Sequence, residues 1–596
     1  MTTVAAGTLG TLTSACDDGG GDGGDGGGGG GGQPGGGDAG VDPGFGSPGA
    51  PEDIARLFPQ AFASGDPTAS SVILWTRVEA GAASAMVAYQ VARDAEFADL
   101  VAQGEVAAIA ETDHTVRLKV TGLDADTRYY YRFRVEGVVT DAGRTRTAPT
   151  ADADVSPRFA FASCQDYNGR YYHAWRVLAD QADDLAFVLF LGDYIYETAG
   201  DPRFQDEGGR QVELPDGLDL GGPRAALTLA DYRSLYKQYR SDAQLQRAHK
   251  LLPFVTIWDD HEFADDCWQD HSTHFNEAMG DEKDTARRTA ASRAWFEYQP
   301  VDLERVADAL FPDDLRIYRV LRWGQHLEVF LTDQRSYRAD HLIPEGPTND
   351  AVAKTGENTA LGSRQFVFKP GFDPLEAAAK PAMLGDTQKA WFVDAVRASN
   401  ATWRLWGNQV MVAQLAIDLT PFETVPETFR GLFYLSVDQW DGYRSERAEI
   451  LDALKDEADF VVLTGDIHSF HACHLRPDFD APGEATCVEF VTAGISSRSY
   501  EEIIRSVVQS DALLSALGLE AVVDQMGQII LDTNPHFAFT DNRTYGFATA
   551  ALSPEAMEVR FHVFTSEAVR DPDYTGGADH TVDLRVARGT NTIEGA

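Results

Sequence analysis

The sequence predicts a mixed α/β protein in which a short all-β segment precedes a large α/β domain. Between residues 62 and 149 apolar and polar residues alternate in short runs separated by turn residues, the period-2 pattern of half-buried strands. Beyond Pro157 that pattern gives way to continuous apolar runs, each ending in polar residues, with amphipathic stretches between them. A chain of 596 residues, 43% hydrophobic and 10% aromatic, is long and apolar enough for two or three domains and a large buried core.

Taken in order, residues 1–16 read MTTVAAGTLGTLTSAC, a small and mildly apolar leader. Residues 17–54 form a linker that is almost entirely Gly and Asp as far as Gly40. Such a tract cannot bury enough surface to offset its ordering entropy, so a disordered tether is expected. The arrangement resembles a bacterial lipoprotein, with Cys16 as the lipid attachment point, although no basic residue precedes the apolar stretch. The plainer alternative is a low-complexity leader with an incidental cysteine. The lipoprotein reading places the protein outside the cytoplasm, at the cell surface, in the periplasm or secreted.

Residues 55–150 carry the alternating strands SVILWTRV, MVAYQVARD, HTVRLKVTGL and YYYRFRVEG. The stretch from Val120 to Val135 resembles a fibronectin type III-like sandwich, its Leu-Asp-Ala-Asp-Thr turn leading into a tyrosine-rich strand. A sandwich of this kind is as often a spacer or lid as a binding module, so it says nothing about activity.

From residue 155 to the end, four apolar strands terminate in metal-ligand residue types: RFAFASC at Cys164, FVLFLGDY at Asp193, FVTIWDDHE at Asp259 to Glu262, and FVVLTGDIHSFH at Asp466 to His471. LADYRSLYKQYRSDAQLQRAHK and DTQKAWFVDAVRAS supply amphipathic helices. In open α/β sheets ligands bind beyond the carboxyl ends of strands, so four such ends converge on one site. Singly, each has an ordinary explanation: a Gly-Asp turn, a surface Asp-His pair, a buried apolar thiol. The convergence carries the inference.

Composition narrows the function. Acidic residues outnumber basic ones by 93 to 50, a net charge of -43, which repels nucleic-acid backbones and anionic membranes. Bound metal ions would reverse that charge locally for an anionic substrate. Beyond residue 20 no run of about 18 apolar residues offers a membrane span. No Ser lies in a G-x-S-x-G elbow, and no Gly-rich P-loop is present, which argues against seryl hydrolases and NTPases. Five cysteines (Cys16, Cys164, Cys267, Cys473, Cys487) are too few for a disulfide scaffold, though Cys473 and Cys487 could pair across a hairpin. Cys267 receives no role beyond burial.

ASCQDYNGRYYHAW, LGDYIYE, WDDHEFADD, TDQRSYR, WGNQVM, LTGDIHS and FVTAGISS occur in the order and context of the PhoD-like alkaline phosphatases, to which the chain is similar from about residue 60 to 590. The resemblance implies a four-layer αββα metallophosphoesterase core. It also implies an exported alkaline phosphatase or phosphodiesterase acting on phosphate mono- or diesters with Fe3+ and Ca2+. In those terms Asp193 bridges the metals, Cys164 and Tyr196 bind iron with His468, and Asp260 and Asp466 give oxygens to the second metal. Asp265 and Asp266 stand where the family usually has asparagines, which keeps oxygen donors and adds charge. Asn408 is a further oxygen donor, His261 a candidate to protonate the leaving group, and Arg335 and Arg338 candidates to meet phosphate oxygens or to form internal salt bridges. The reaction implied is in-line attack by a metal-activated water.

A phospholipase D-like activity on lipid headgroups fits the same ligands, since selectivity depends on framing loops, here Asp201–Gly222 and Pro344–Gly362. A catalytically inert surface binding protein would show broken ligand sets, and a thiol enzyme using Cys164 would survive chelation. Oligomeric state is left open.

Overall fold

The computed structural model describes residues 45–595 apart from 273–282, 344–364, 511–514, 516–518 and the single positions 80, 203, 308, 424, 426, 428 and 429. The leader, Cys16, most of the linker and the loop Pro344–Gly362 lie outside the described residues.

The continuous apolar runs form two large sheets. In the first, β1 (Arg158–Ala162), β2 (Val188–Phe190) and β3 (Pro253–Thr256) pair in parallel. In the second, β4 (Leu327–Leu331), β5 (Trp403–Asn408), β6 (Phe460–Thr464) and β7 (Cys487–Val491) do the same. Further strands, all but one of them added antiparallel, extend both, giving ten and seven strands.

Side chains alternate between two cores. Val461 and Leu463 of β6 join Phe159, Phe187 and Trp323 in the cluster between the sheets, while Phe460 and Val462 face a second cluster under the outer helices. Burial on both faces is why these strands read as unbroken apolar runs. Phe187 meets Trp323 at 5.1 Å and Phe470 meets Phe561 at 4.7 Å across the inter-sheet core. Outside the first sheet, Trp175 of the helix His173–Ala179 packs on Phe254 of β3. Outside the second, Phe392 of the helix Gly385–Ala398 packs on Trp406 of β5. The order helix, sheet, sheet, helix is the four-layer arrangement that the resemblance implied.

The N-terminal strands close a sandwich around Val72, Leu74, Val87, Tyr129, Tyr131 and Phe133. One of its sheets has five strands, including Ser84–Ala92, Leu100–Ile109 and Arg128–Val135. The other is the edge of the catalytic sheet itself: Phe62–Gly65 pairs in parallel with β3 and antiparallel with Ser71–Arg77, which pairs with Thr115–Thr121. Gly65 permits this junction, since a Cβ there would lie 2.2 Å from the Pro300 carbonyl and 2.5 Å from that of Phe254.

The Cys473–Cys487 pairing is not formed. Phe470–Leu475 and β7 are antiparallel neighbours, but their register sets Cys473 opposite Glu489 and Cys487 opposite Leu475, and both thiols are buried and free. Cys267 is likewise a buried thiol, pushed up to about 12 by its surroundings, chiefly by burial. Among the described residues no helix is long and apolar enough to cross a membrane.

His562 gives the fold a measurable pH dependence. It lies in the strand Ala556–Phe564, stacked on Phe547 at 4.4 Å. Burial, with Arg158 and Arg560 nearby, lowers its imidazole from 6.5 to about 4. A depressed folded-state value means its contribution is full above pH 6.5 and is lost as pH falls through 4, a gap worth about 3 kcal/mol. Thermal melts of His562→Gln should therefore lose less stability between pH 7 and 4 than the wild type does.

Candidate metal centre

Each ligand-bearing turn follows a strand whose direction is fixed by the parallel ladders, so the turns gather at one end of the two sheets. β1 runs into Cys164, β2 into Asp193, β3 into Asp259 to Glu262, and β6 into Asp466 and His468. The chain after β7 stitches the sheets together here: the Ile495 N–H donates to the Ser163 carbonyl at 3.1 Å and that of Ser497 to the Cys164 carbonyl at 3.2 Å. Cys164, Asp193, Asp266, Asp466 and His468 all adopt positive φ, between 51° and 63°. Non-glycine residues in that region carry strain that only a tight surrounding structure sustains. At Gly192, with φ +108°, a Cβ would lie 2.5 Å from that of Asp259, so glycine lets the β2 and β3 turns touch.

The turns bring together four overlapping groups whose donor atoms lie within 4.8 Å of one another: Cys164, Asp193 and His468; Asp193, Asp260 and His261; Asp259, Asp260 and Asp466; and Asp260, Asp265 and Asp266. The Tyr196 hydroxyl joins the first group, 3.2 Å from Asp193 Oδ2 and 2.9 Å from His468 Nε2. Asp193 and Asp260 each belong to more than one group and link them into a continuous centre.

The electrostatics of this centre call for cations. Burial, then repulsion from Asp260, raises the Asp193 carboxyl well above the usual range. Burial and Asp259 do the same to Asp466, and Asp259 itself is raised to about 6, first by burial. Burial also pushes up the Cys164 thiol and the Tyr196 phenol, and lowers His468 to about 4. Asp193 Oδ1 and Asp259 Oδ2 are buried with no hydrogen-bond donor among the described residues. Buried carboxylates lacking partners are costly unless they coordinate metal. The donor set is also asymmetric: one end offers thiol, phenol and imidazole, the other only carboxylates. That difference fits a softer transition metal beside a hard, oxygen-seeking cation.

A second ring of residues holds the ligands. Glu262 accepts the backbone N–H groups of Asp193 at 3.0 Å, Tyr194 at 2.8 Å and Asp259 at 2.8 Å, and burial raises its carboxyl to about 7. Glu197 accepts from His261 Nδ1 at 2.7 Å and from the Asp265 N–H at 3.0 Å. The Tyr196 ring lies 4.0 Å from that of His261. Burial alone would lower the His261 imidazole, but Asp260, Glu197 and Asp193 hold it well above its ordinary value. Since a carbonyl can only accept, His468 Nδ1 donates to Arg498 O at 2.7 Å, which leaves Nε2 for the centre.

Three sequence candidates stand differently from the rest. Arg335 is fully buried and held by Asp259, Asp260 at 3.3 Å, Asp466 at 3.1 Å and Asp438 at 2.9 Å, which makes it an internal counter-charge. Arg338 is likewise buried, on Asp438 at 2.9 Å and the Tyr443 hydroxyl at 3.0 Å. Asn408 lies outside the four groups. Its Oδ1 accepts from Gln334 and Trp440, and its Nδ2 donates to Thr464 Oγ1 at 2.9 Å, tying β5 to β6 behind the centre. Sequence reasoning gave no individual role to Glu197, Glu262, Asp259 or Asp438. The first three sit inside the recognised LGDYIYE and WDDHE runs, where strand-end position alone could not rank one carboxylate over its neighbour.

Comparison with known proteins gives the chain its family. The profile of the PhoD-like phosphatase family matches residues 159–561, and that of the PhoD-like phosphatase N-terminal domain matches residues 47–149. Alkaline phosphatase D of Bacillus subtilis (strain 168) is 29% identical over 526 residues, 86% of this chain and 82% of that protein. The solved structure of PhoD superposes with a TM-score of 0.71 at 26% identity, covering 90% of this chain and 92% of that one. With well over half of its length matched by the family profile, the chain belongs to the PhoD-like phosphatases and is a hydrolase of phosphoric esters.

Proposed function

We propose that the protein is an exported phosphatase or phosphodiesterase whose metal pair is Fe3+ and Ca2+, held by this centre. In this reading Asp193 would serve both metals, Cys164, Tyr196 and His468 would hold iron, and Asp260 and Asp466, with oxygens from Asp265 and Asp266, would hold calcium. The observation that carries it is the asymmetric donor set: thiol, phenol and imidazole beside Asp193 at one end, and at the other, reached through Asp260, groups made of carboxylates alone. Once bound, the metals supply Lewis acidity to the phosphoryl oxygens and lower the pKa of water from 15.7 towards about 7. His261, its Nδ1–H fixed on Glu197, presents Nε2 to protonate the leaving oxygen. Arg335 offsets the carboxylates from within and leaves the substrate to the metals. An inert binding protein is disfavoured because drift would have broken a ligand set that stands complete.

The same reading takes residues 55–150 as the N-terminal domain and 155–596 as the catalytic domain, tethered by residues 17–54 and anchored through Cys16. Mass spectrometry of the mature N-terminus tests that anchor.

The test of the centre pairs elemental analysis with hydrolysis of a chromogenic monoester and diester at alkaline pH, before and after chelation. Iron and calcium in the protein, and activity lost on chelation, are expected; activity that survives chelation would point to Cys164 as a nucleophile. Cys164→Ser should lose most of its iron and at least about 100-fold in kcat/KM, because serine is a much poorer ferric ligand than thiolate.

A further inference from the structure

Beside the centre, Phe204 lies half-buried with its ring edge-on to His261, at 5.1 Å and 82°, and 6.2 Å from Tyr196. Its backbone is held unusually firmly for a surface loop. The neighbouring Asp206 carboxylate is gripped by three arginines from three distant parts of the chain: Arg170 at 3.0 Å, Arg498 at 2.7 Å and Arg570 at 2.8 Å. Burial alone would raise that carboxyl, and the arginines bring it below its ordinary value. Arg170 also donates to the Phe204 carbonyl at 3.0 Å, and Arg498 to those of Pro202 at 2.6 Å and Gln205 at 3.2 Å. The Gln205 side chain closes the turn on the N–H groups of Gly200 and Asp201 and the carbonyl of Thr198.

Arg498 has a second duty, because its carbonyl orients His468. The segment bearing Phe204 is therefore referenced to the same residue that sets a metal ligand. A loop meant to swing aside would not be tied by so many charge-assisted bonds to separate elements.

We infer that Phe204 is a fixed apolar wall for the leaving group, so that the enzyme favours phosphate esters of apolar or aromatic alcohols, with Asp206 as its positioning residue. The inference rests on the proposed role of His261: if Nε2 delivers a proton to the leaving oxygen, the group on that oxygen must lie beside His261. Among the described residues two rings lie against His261: Tyr196, read here as a metal ligand, and Phe204, which meets it edge-on. An aromatic wall gains by stacking and by excluding water from an apolar substituent, and gains nothing from a small polar one.

The test uses benzyl and ethyl phosphate, whose alcohols ionise similarly so that intrinsic reactivity does not mask binding, with the metal-loaded full-length protein. Phe204→Ala should reduce the benzyl-over-ethyl ratio of kcat/KM about tenfold, chiefly through KM for the benzyl ester, and Phe204→Leu should restore part of it. Calorimetric titration with benzylphosphonate, which cannot turn over, should weaken by a similar factor. Asp206→Asn should move the ratio the same way by a smaller amount. Equal losses on both esters, or an unchanged ratio, would overturn the wall while leaving hydrolysis intact. No turnover of either ester, nor of the chromogenic diester, by the metal-loaded wild type would sink the phosphoesterase reading itself, and the wall with it.

Discussion

Asp193→Ala is expected to lower kcat/KM by about 10^4-fold, roughly 5 kcal/mol of transition-state stabilisation, and to lower the bound metal to one equivalent or less. Asp193 belongs both to the group with Cys164 and His468 and to the group with Asp260 and His261, and it is the residue those two groups share. Stability should move in opposite directions with and without metal. In metal-free protein Asp193 is crowded by Asp260, Asp259 and Glu262, and its carboxyl is raised by burial and by that repulsion. Removing it relieves repulsion, so the metal-free variant should melt no lower than metal-free wild type. The gain in Tm on adding metal, by contrast, should largely vanish, because that gain scales with occupancy of the native state. A variant that keeps both the metal-dependent gain in Tm and turnover would remove Asp193 from the centre.

Glu262→Ala should be the most destabilising single change near the site, by about 4–6 kcal/mol in unfolding free energy from denaturant titration, since three buried N–H groups lose a shared acceptor at once. Those groups belong to Asp193, Tyr194 and Asp259, which sit on two different strand ends, so the lost carboxylate also unties the turns from each other. Glu262→Gln should fall between, because an amide offers one accepting oxygen where the carboxylate offers two. Oε2 takes Asp193 and Asp259 together while Oε1 takes Tyr194, so the amide nitrogen must oppose at least one donor. Activity should drop in the same rank order, measured on folded protein at low temperature. Equal stability of Glu262→Ala and wild type would mean the turns hold themselves.

The contrast between these residues shows what the sequence makes legible. Strand ends such as FLGD and LTGD announce themselves because an apolar run stops abruptly at a ligand type, and Cys164, Asp193, Asp466 and His468 were read that way. Glu197 and Glu262 carry no such mark: their value lies in which backbone N–H groups and which imidazole they meet, and those partners are up to 69 residues away. Arg335 is the converse case. A guanidinium near phosphate chemistry invites a substrate role, and only the three-dimensional placement of Asp438 and Asp259 around it reveals a cation already satisfied. The sandwich was legible as alternating strands, but its sharing of a sheet with β3 was not, since a parallel pairing between Phe62–Gly65 and Pro253–Thr256 leaves no local pattern.

That shared sheet bears on how the protein matures. β1 to β3 are flanked on one side by Phe62–Gly65 and on the other by Tyr545–Leu552, and the last strands, as far as Ile593–Glu594, continue that side. A ribosome therefore releases one flank before β1 to β3 and the other long after them. Until then β1, which leads into Cys164, has an open edge, and the Gly494–Ser497 segment that ties down the Cys164 turn has only just emerged. Pairings this far apart in sequence form slowly and leave strand edges exposed meanwhile. The Cys164 turn is thus completed late in folding, once Gly494–Ser497 and Tyr545–Leu552 have docked beside β1.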